Sequence, residues 1–94
     1  MKITGYQVTN TDDSNVTKKM GLEKCLKFAY DNDETDWHHV ERIKLNNKTQ
    51  LVFTVQVKRG YIRSWCLKSV LTRHECRVLR KFAKEAKLKM IVNE

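Results

Sequence analysis

Apolar residues recur at every second position in "TQLVFTVQV" (49–57), where Leu51, Phe53, Val55 and Val57 alternate with Val52, Thr54 and Gln56. A period of two sends successive side chains to opposite faces, so this stretch is predicted as a strand with one buried face. "HHVERIKL" (38–45) and "YIRSWCLK" (61–68) read as its neighbours, joined to it through "NNK" and "KRG". A three-residue loop at 46–48 keeps Ile43 and Leu45 on the face of Leu51 and Phe53, whereas a two-residue turn would invert them. A three-residue loop at 58–60, with Gly60 left-handed, pairs Val57 with Tyr61 and Phe53 with Trp65. That register is the one expected; it carries Trp65 and Leu67 into the core and makes Arg63 snorkel. A slip of one residue would instead turn Ile62 and Cys66 inward and leave the aromatic residues in solvent.

Upstream, "KITGYQV" (2–8) reads as a further short strand, and "TNTDDSN" (9–15) as a turn whose side chains bond their own backbone. The pattern changes at "VTKKMGLEKCLKFAY" (16–30), where Leu22, Cys25, Leu26 and Ala29 share a helical face. Its start is blurred by Gly21. The acidic run "DNDETD" (31–36) ends this helix, since carboxylates oppose the macrodipole at a helix C-terminus. It is read as a solvated loop, because a calcium loop needs ordered oxygen ligands and a glycine that it lacks.

A second helix opens at Thr72. Thr72 and Glu75 form a T-x-x-E capping box, and Cys76, Leu79, Phe82, Ala83, Ala86 and Met90 then fall on one apolar face. Arg73, Arg77, Arg80, Lys84 and Lys87 follow steps of four and three along another face, flanked by His74 and Lys81. At about 1.5 Å per residue this cationic stripe runs roughly 21 Å. Arginine in a first turn opposes the macrodipole and is poorly explained by stability, whereas beside a phosphate it acts together with the exposed amides.

Charge strengthens that picture. Of 94 residues, 19 are Lys or Arg and 11 are Asp or Glu, for a net charge of +8. Residues 1–36 carry net −2 and residues 37–94 net +10. A field so distributed steers a polyanion toward the C-terminal two-thirds of the chain. Hydrophobic residues make up 40% of the chain, enough for one modest core and a single domain over 1–94.

Three cysteines at irregular spacing do not resemble a disulfide framework and suit a reducing compartment. "MKITGYQVTN" lacks a secretory apolar core, and no apolar run reaches membrane-spanning length, so a cytoplasmic protein that does not contact membrane is expected.

Other constellations are less developed. His38, His39 and Glu41, with His74, are the residues of a candidate small ribonuclease, since moving a 2′-hydroxyl proton needs a group titrating near neutrality. Adjacent histidines on a strand face opposite ways, however. Cys66, His74 and Cys76 are metal-ligating types without the paired short spacing of a zinc site, so no metal or other cofactor is assigned. Tyr61 and Trp65 would stack on bases only if they faced solvent.

The order helix, three strands, helix, with "FTVQVKRG" (53–60) and "TRHECR" (72–77), resembles the double-stranded RNA-binding domain. That resemblance implies phosphate contacts by Arg73, His74 and Arg77. Where the family's first hairpin loop carries a proline and a histidine, this chain has Asn46, Asn47 and Lys48, and "WCLKSVL" replaces small residues before the last helix. With the strand at 2–8 the order is also similar to ribosome hibernation factors, whose opening strand "MKITG" resembles.

The expected fold is therefore α+β, a three- to four-stranded, mainly antiparallel sheet with two helices on one face. The expected function is non-enzymatic binding of structured RNA, or of duplex DNA, with little sequence specificity. Its contacts would be Arg73, His74, Arg77, Arg80, Lys81, Lys84 and Lys87, with Lys48, Lys58 and Arg59 in the hairpin loops as a second clamp. The rival reading is an inhibitor or modulator, of the mobile-element or phage type, docking on an acidic protein surface.

Overall fold

A computed structural model describes residues 2–10, 16–32 and 38–93, the side chains of residues 10 and 16–18 apart. The element order is β1 (Ile3–Asn10), β2 (Val16–Met20), α1 (Leu22–Asp31), β3 (His38–Lys44), β4 (Thr49–Gln56), β5 (Tyr61–Leu67), α2 (Arg73–Ala86) and β6 (Lys89–Asn93). One six-stranded sheet runs β2-β1-β3-β4-β5-β6, antiparallel throughout except for β5 beside β6. Both helices pack on one face of it, so the fold is α+β. The sheet is wider than the three or four strands expected, by β2 and β6. No helix among the described residues is long and apolar enough to cross a membrane. Of the turn expected at 9–15, Thr9 and Asn10 belong to β1, and of the acidic run at 31–36, Asp31 belongs to α1; residues 11–15 and 33–36 lie outside the described residues.

Both extra strands occupy stretches that adjoin a helix and share its apolar spacing. Residues 16–20 form β2, which pairs Met20 with Tyr6. Gly21, extended at ψ 159°, marks the true boundary, and α1 then buries Leu22, Cys25, Leu26 and Ala29 as their spacing predicts. At the other end, Lys87 takes a left-handed conformation (φ 56°) and closes α2. Met90 therefore lies on β6 rather than on the apolar face of α2, and is 39% exposed.

The two hairpin loops differ from expectation by one residue each, with different consequences. Between β3 and β4 the loop is 45–47: the Lys44 amide donates to the Lys48 carbonyl at 2.9 Å, and Asn47 supplies the positive φ. Asparagine tolerates that conformation. Ile43 and Leu51 do share a face, but a bulge opposite Val40 and Glu41 lets Val52 and Phe53 both turn toward the helices.

Between β4 and β5 the turn has four residues, 57–60, and Gln56 pairs with Tyr61. Gly60 sits at φ 76° and donates to the Val57 carbonyl. Phe53 consequently pairs with Ser64 and Val55 with Ile62. The expected register is overturned: Ile62, Ser64 and Cys66 point inward, while Arg63, Trp65 and Leu67 are exposed. The physical reason is Arg63, which the expected register would have drawn toward the core at a large desolvation cost.

The core lies between the sheet and the helices, around Val8, Leu26, Val40, Phe53, Ile62 and Leu79. Since β1 runs opposite to β3, the starts of both helices, the start of β1 and the 45–47 loop gather at one end. The ends of both helices and the 57–60 turn lie at the other.

Candidate nucleic-acid interface

The basic helix is held at its N-terminus by a buried ionic cluster. Glu75, wholly buried, accepts from Arg42 Nε at 2.8 Å through Oε2 and from Arg42 Nη2 through Oε1. The Tyr6 hydroxyl donates to Oε2 at 2.8 Å, and the Thr72 amide to Oε1 at 2.9 Å. Arg42 spends a further donor on Gln50 Oε1 at 2.9 Å. The predicted capping box is complete, with the Glu75 amide donating to Thr72 Oγ1 at 3.0 Å.

Burial presses both charges toward neutrality, but the hydrogen bonds between them outweigh it. Glu75 is held below the usual carboxylate range and Arg42 above its ordinary value. Burial, then the neighbouring carboxylate, pushes the Tyr6 hydroxyl up, so it stays a donor. Thus the one acidic residue in the first turn of α2 faces inward, fully paired, and does not cancel the cations outside.

Arg73, Arg77, Arg80 and Lys84 are exposed on the outer side of α2, and none has a carboxylate within 4.0 Å among the described residues. Arg73, Arg77 and Arg80 line one shallow groove of about 380 Å³ whose other walls are Leu71 and Cys76. Lys81 instead leans to α1 and meets Glu23 at 3.9 Å, an exposed pair worth less than about 1 kcal/mol. His74 lies off the stripe, in a cleft between the two helix starts with Thr4, Gly21 and Thr72.

Lys87 is the unusual member. Its left-handed backbone ordinarily belongs to glycine and costs a residue with a side chain about 1–2 kcal/mol. Lys87→Gly is therefore expected to raise stability in urea denaturation by about 1 kcal/mol. The same substitution should weaken polyanion binding, giving opposite signs for the two readouts.

The loop cations do not form one clamp. Lys48 is exposed at the end where α2 begins, whereas Lys58 and Arg59 are exposed at the end where it finishes, since the Lys89 amide donates to the Gly60 carbonyl at 2.8 Å. They flank the stripe at opposite ends.

The histidines do not converge. His38 is buried at the start of β3, His39 is half-buried on the other face, and His74 lies at the far end of the sheet. No group of three or more His, Cys, Asp or Glu side chains suited to a metal occurs among the described residues. All three cysteines are free, and burial pushes the Cys25 thiol up to about 11. Comparison with protein-family models, with curated proteins and with solved structures finds no match to this chain.

Proposed function

We propose that the protein is a non-enzymatic, cytoplasmic binder of structured RNA that grips the phosphate backbone with the outer side of α2. One observation carries the reading: three arginines line a single groove on a rigidly anchored helix, exposed and without carboxylate partners among the described residues. Guanidinium groups held in that state are suited to bidentate phosphate contact. The run α1, β3, β4, β5, α2, with its three strands adjacent and both helices on one face, is the arrangement the double-stranded RNA-binding domain resemblance implies. Lys84, Lys87 and the turn cations Lys58 and Arg59 extend the positive surface at one end, and Lys48 at the other.

Contacts of this kind position a duplex without reading its bases. Fluorescence anisotropy with several duplex RNAs of equal length and unrelated sequence should give dissociation constants within a few-fold of one another. Failure to bind any duplex at about 50 mM salt, where such contacts are strong, would remove the reading and favour an acidic protein surface as the partner.

A further inference from the structure

The face of the sheet turned away from the helices carries its own pattern. Tyr61, Arg63 and Trp65 follow one another at alternate positions of β5, all on that face, about 7 Å apart along the strand. Trp65 is 41% exposed, yet its ring is fixed. The indole N–H donates to Thr54 Oγ1, the Thr54 hydroxyl also meets His39 Nδ1 at 2.9 Å, and the Arg63 guanidinium lies 5.1 Å from the ring centre. Burial holds His39 below its ordinary value, so a neutral imidazole is available to accept the Thr54 proton.

An aromatic ring that is both exposed and already ordered loses little entropy when something stacks on it. The surrounding charge selects what that is. Lys89 stands beside Tyr61 on β6, and Lys19 lies farther across on β2. Glu41 is the only carboxylate on this face among the described residues, and the Gln7 amide holds it at 3.1 Å. A second copy of the chain would bring another net +8 against these cations.

We infer that the open sheet face binds single-stranded nucleic acid, with Tyr61 and Trp65 stacking on unpaired bases and Arg63 and Lys89 meeting the phosphates between them. This surface lies across the sheet from α2, so it names unpaired nucleotides as a second target and stands or falls separately from the duplex reading.

The test uses the full chain, a single-stranded oligouridine of about 12 nucleotides and a blunt RNA duplex of equal length. The Trp65 indole N–H resonance, identified by its loss in Trp65→Phe, should shift on adding the single strand and not on adding the duplex. Trp65→Ala should weaken single-strand binding about tenfold or more, as base stacking on an aromatic residue implies, while Trp65→Phe keeps most of it. Duplex affinity should be unchanged in both. In R73E/R77E/R80E the Trp65 shift with the single strand should persist while duplex binding falls. An unmoved Trp65 resonance, unchanged single-strand affinity in Trp65→Ala, or a dimer in sedimentation that this substitution abolishes would each overturn the inference.

Discussion

Replacing Arg73, Arg77 and Arg80 together by glutamate is expected to weaken duplex RNA binding at least about a hundredfold at ~0.1 M salt. Each phosphate contact that releases a counterion contributes roughly 0.7–0.9 log units of affinity at that salt. Three lost contacts thus remove over two log units before the new repulsion is counted. The fold should not suffer, because these side chains are exposed and have no carboxylate partners among the described residues. Glutamate in the first turn of α2 even suits the macrodipole, so the melting temperature should hold or rise slightly. Anisotropy and thermal denaturation on the same variant separate the two effects. Undiminished duplex binding would place the interface elsewhere.

Arg42→Ala is expected to cost about 3–5 kcal/mol in urea denaturation, a large part of the ~5–15 kcal/mol that holds a domain of this size together. The loss arises because Glu75 would stay buried with its principal partner gone. Arg42→Met combined with Glu75→Gln should cost less than Arg42→Ala alone, since no unpaired charge is left and the glutamine oxygen can still accept from the Thr72 amide while its NH2 donates to the Tyr6 hydroxyl.

The same pair fixes a pH signature. In the native chain Glu75 sits below its ordinary value of 4.5, so its stabilisation is fully present above that pH and is lost as pH falls through the folded value. In Arg42→Ala, burial, which raises the carboxyl, is opposed only by the Thr72 amide and the Tyr6 hydroxyl, so the carboxyl rises from its native value. That variant should therefore lose less stability than the native chain as pH falls below about 4.5, measured by urea denaturation across pH. Parallel slopes for the two proteins would show that the Arg42–Glu75 pair does not govern the acid limb.

What could be read from the amino acids depended on how local the signal was. The capping box at Thr72 and Glu75 and the apolar face of α1 need only residues within one or two turns, and both are present as predicted. The register of β5 turned on whether Val57 pairs or joins the turn, a choice made by the tertiary cost of placing Arg63, not by local pattern. β2 and β6 are only five residues each, too short for period two to stand out beside the helical spacing next to them.

The burial of Arg42 has no local signature. Its parity with Val40 on β3 points it inward, and Glu75 lies one turn before Leu79 on the apolar side of α2. Glu75 is expected only as the capping-box carboxylate and Arg42 carries no reading of its own; their meeting across 33 residues makes both core. In the candidate interface the exposure of Arg73, Arg77, Arg80 and Lys84 followed directly from helical spacing. The separation of Lys48 from Lys58 and Arg59 required the topology of the sheet.

The most direct measurement of the central claim is the dissociation constant of one duplex RNA across a series of monovalent salt concentrations. With Arg73, Arg77, Arg80, Lys84 and Lys87 each meeting a phosphate, log affinity should fall against log salt with a slope of roughly −3.5 to −4.5. In R73E/R77E/R80E, with Lys84 and Lys87 left, it should flatten to about −1.5. A native slope already near zero, or one that the three substitutions leave unchanged, would contradict phosphate recognition by α2.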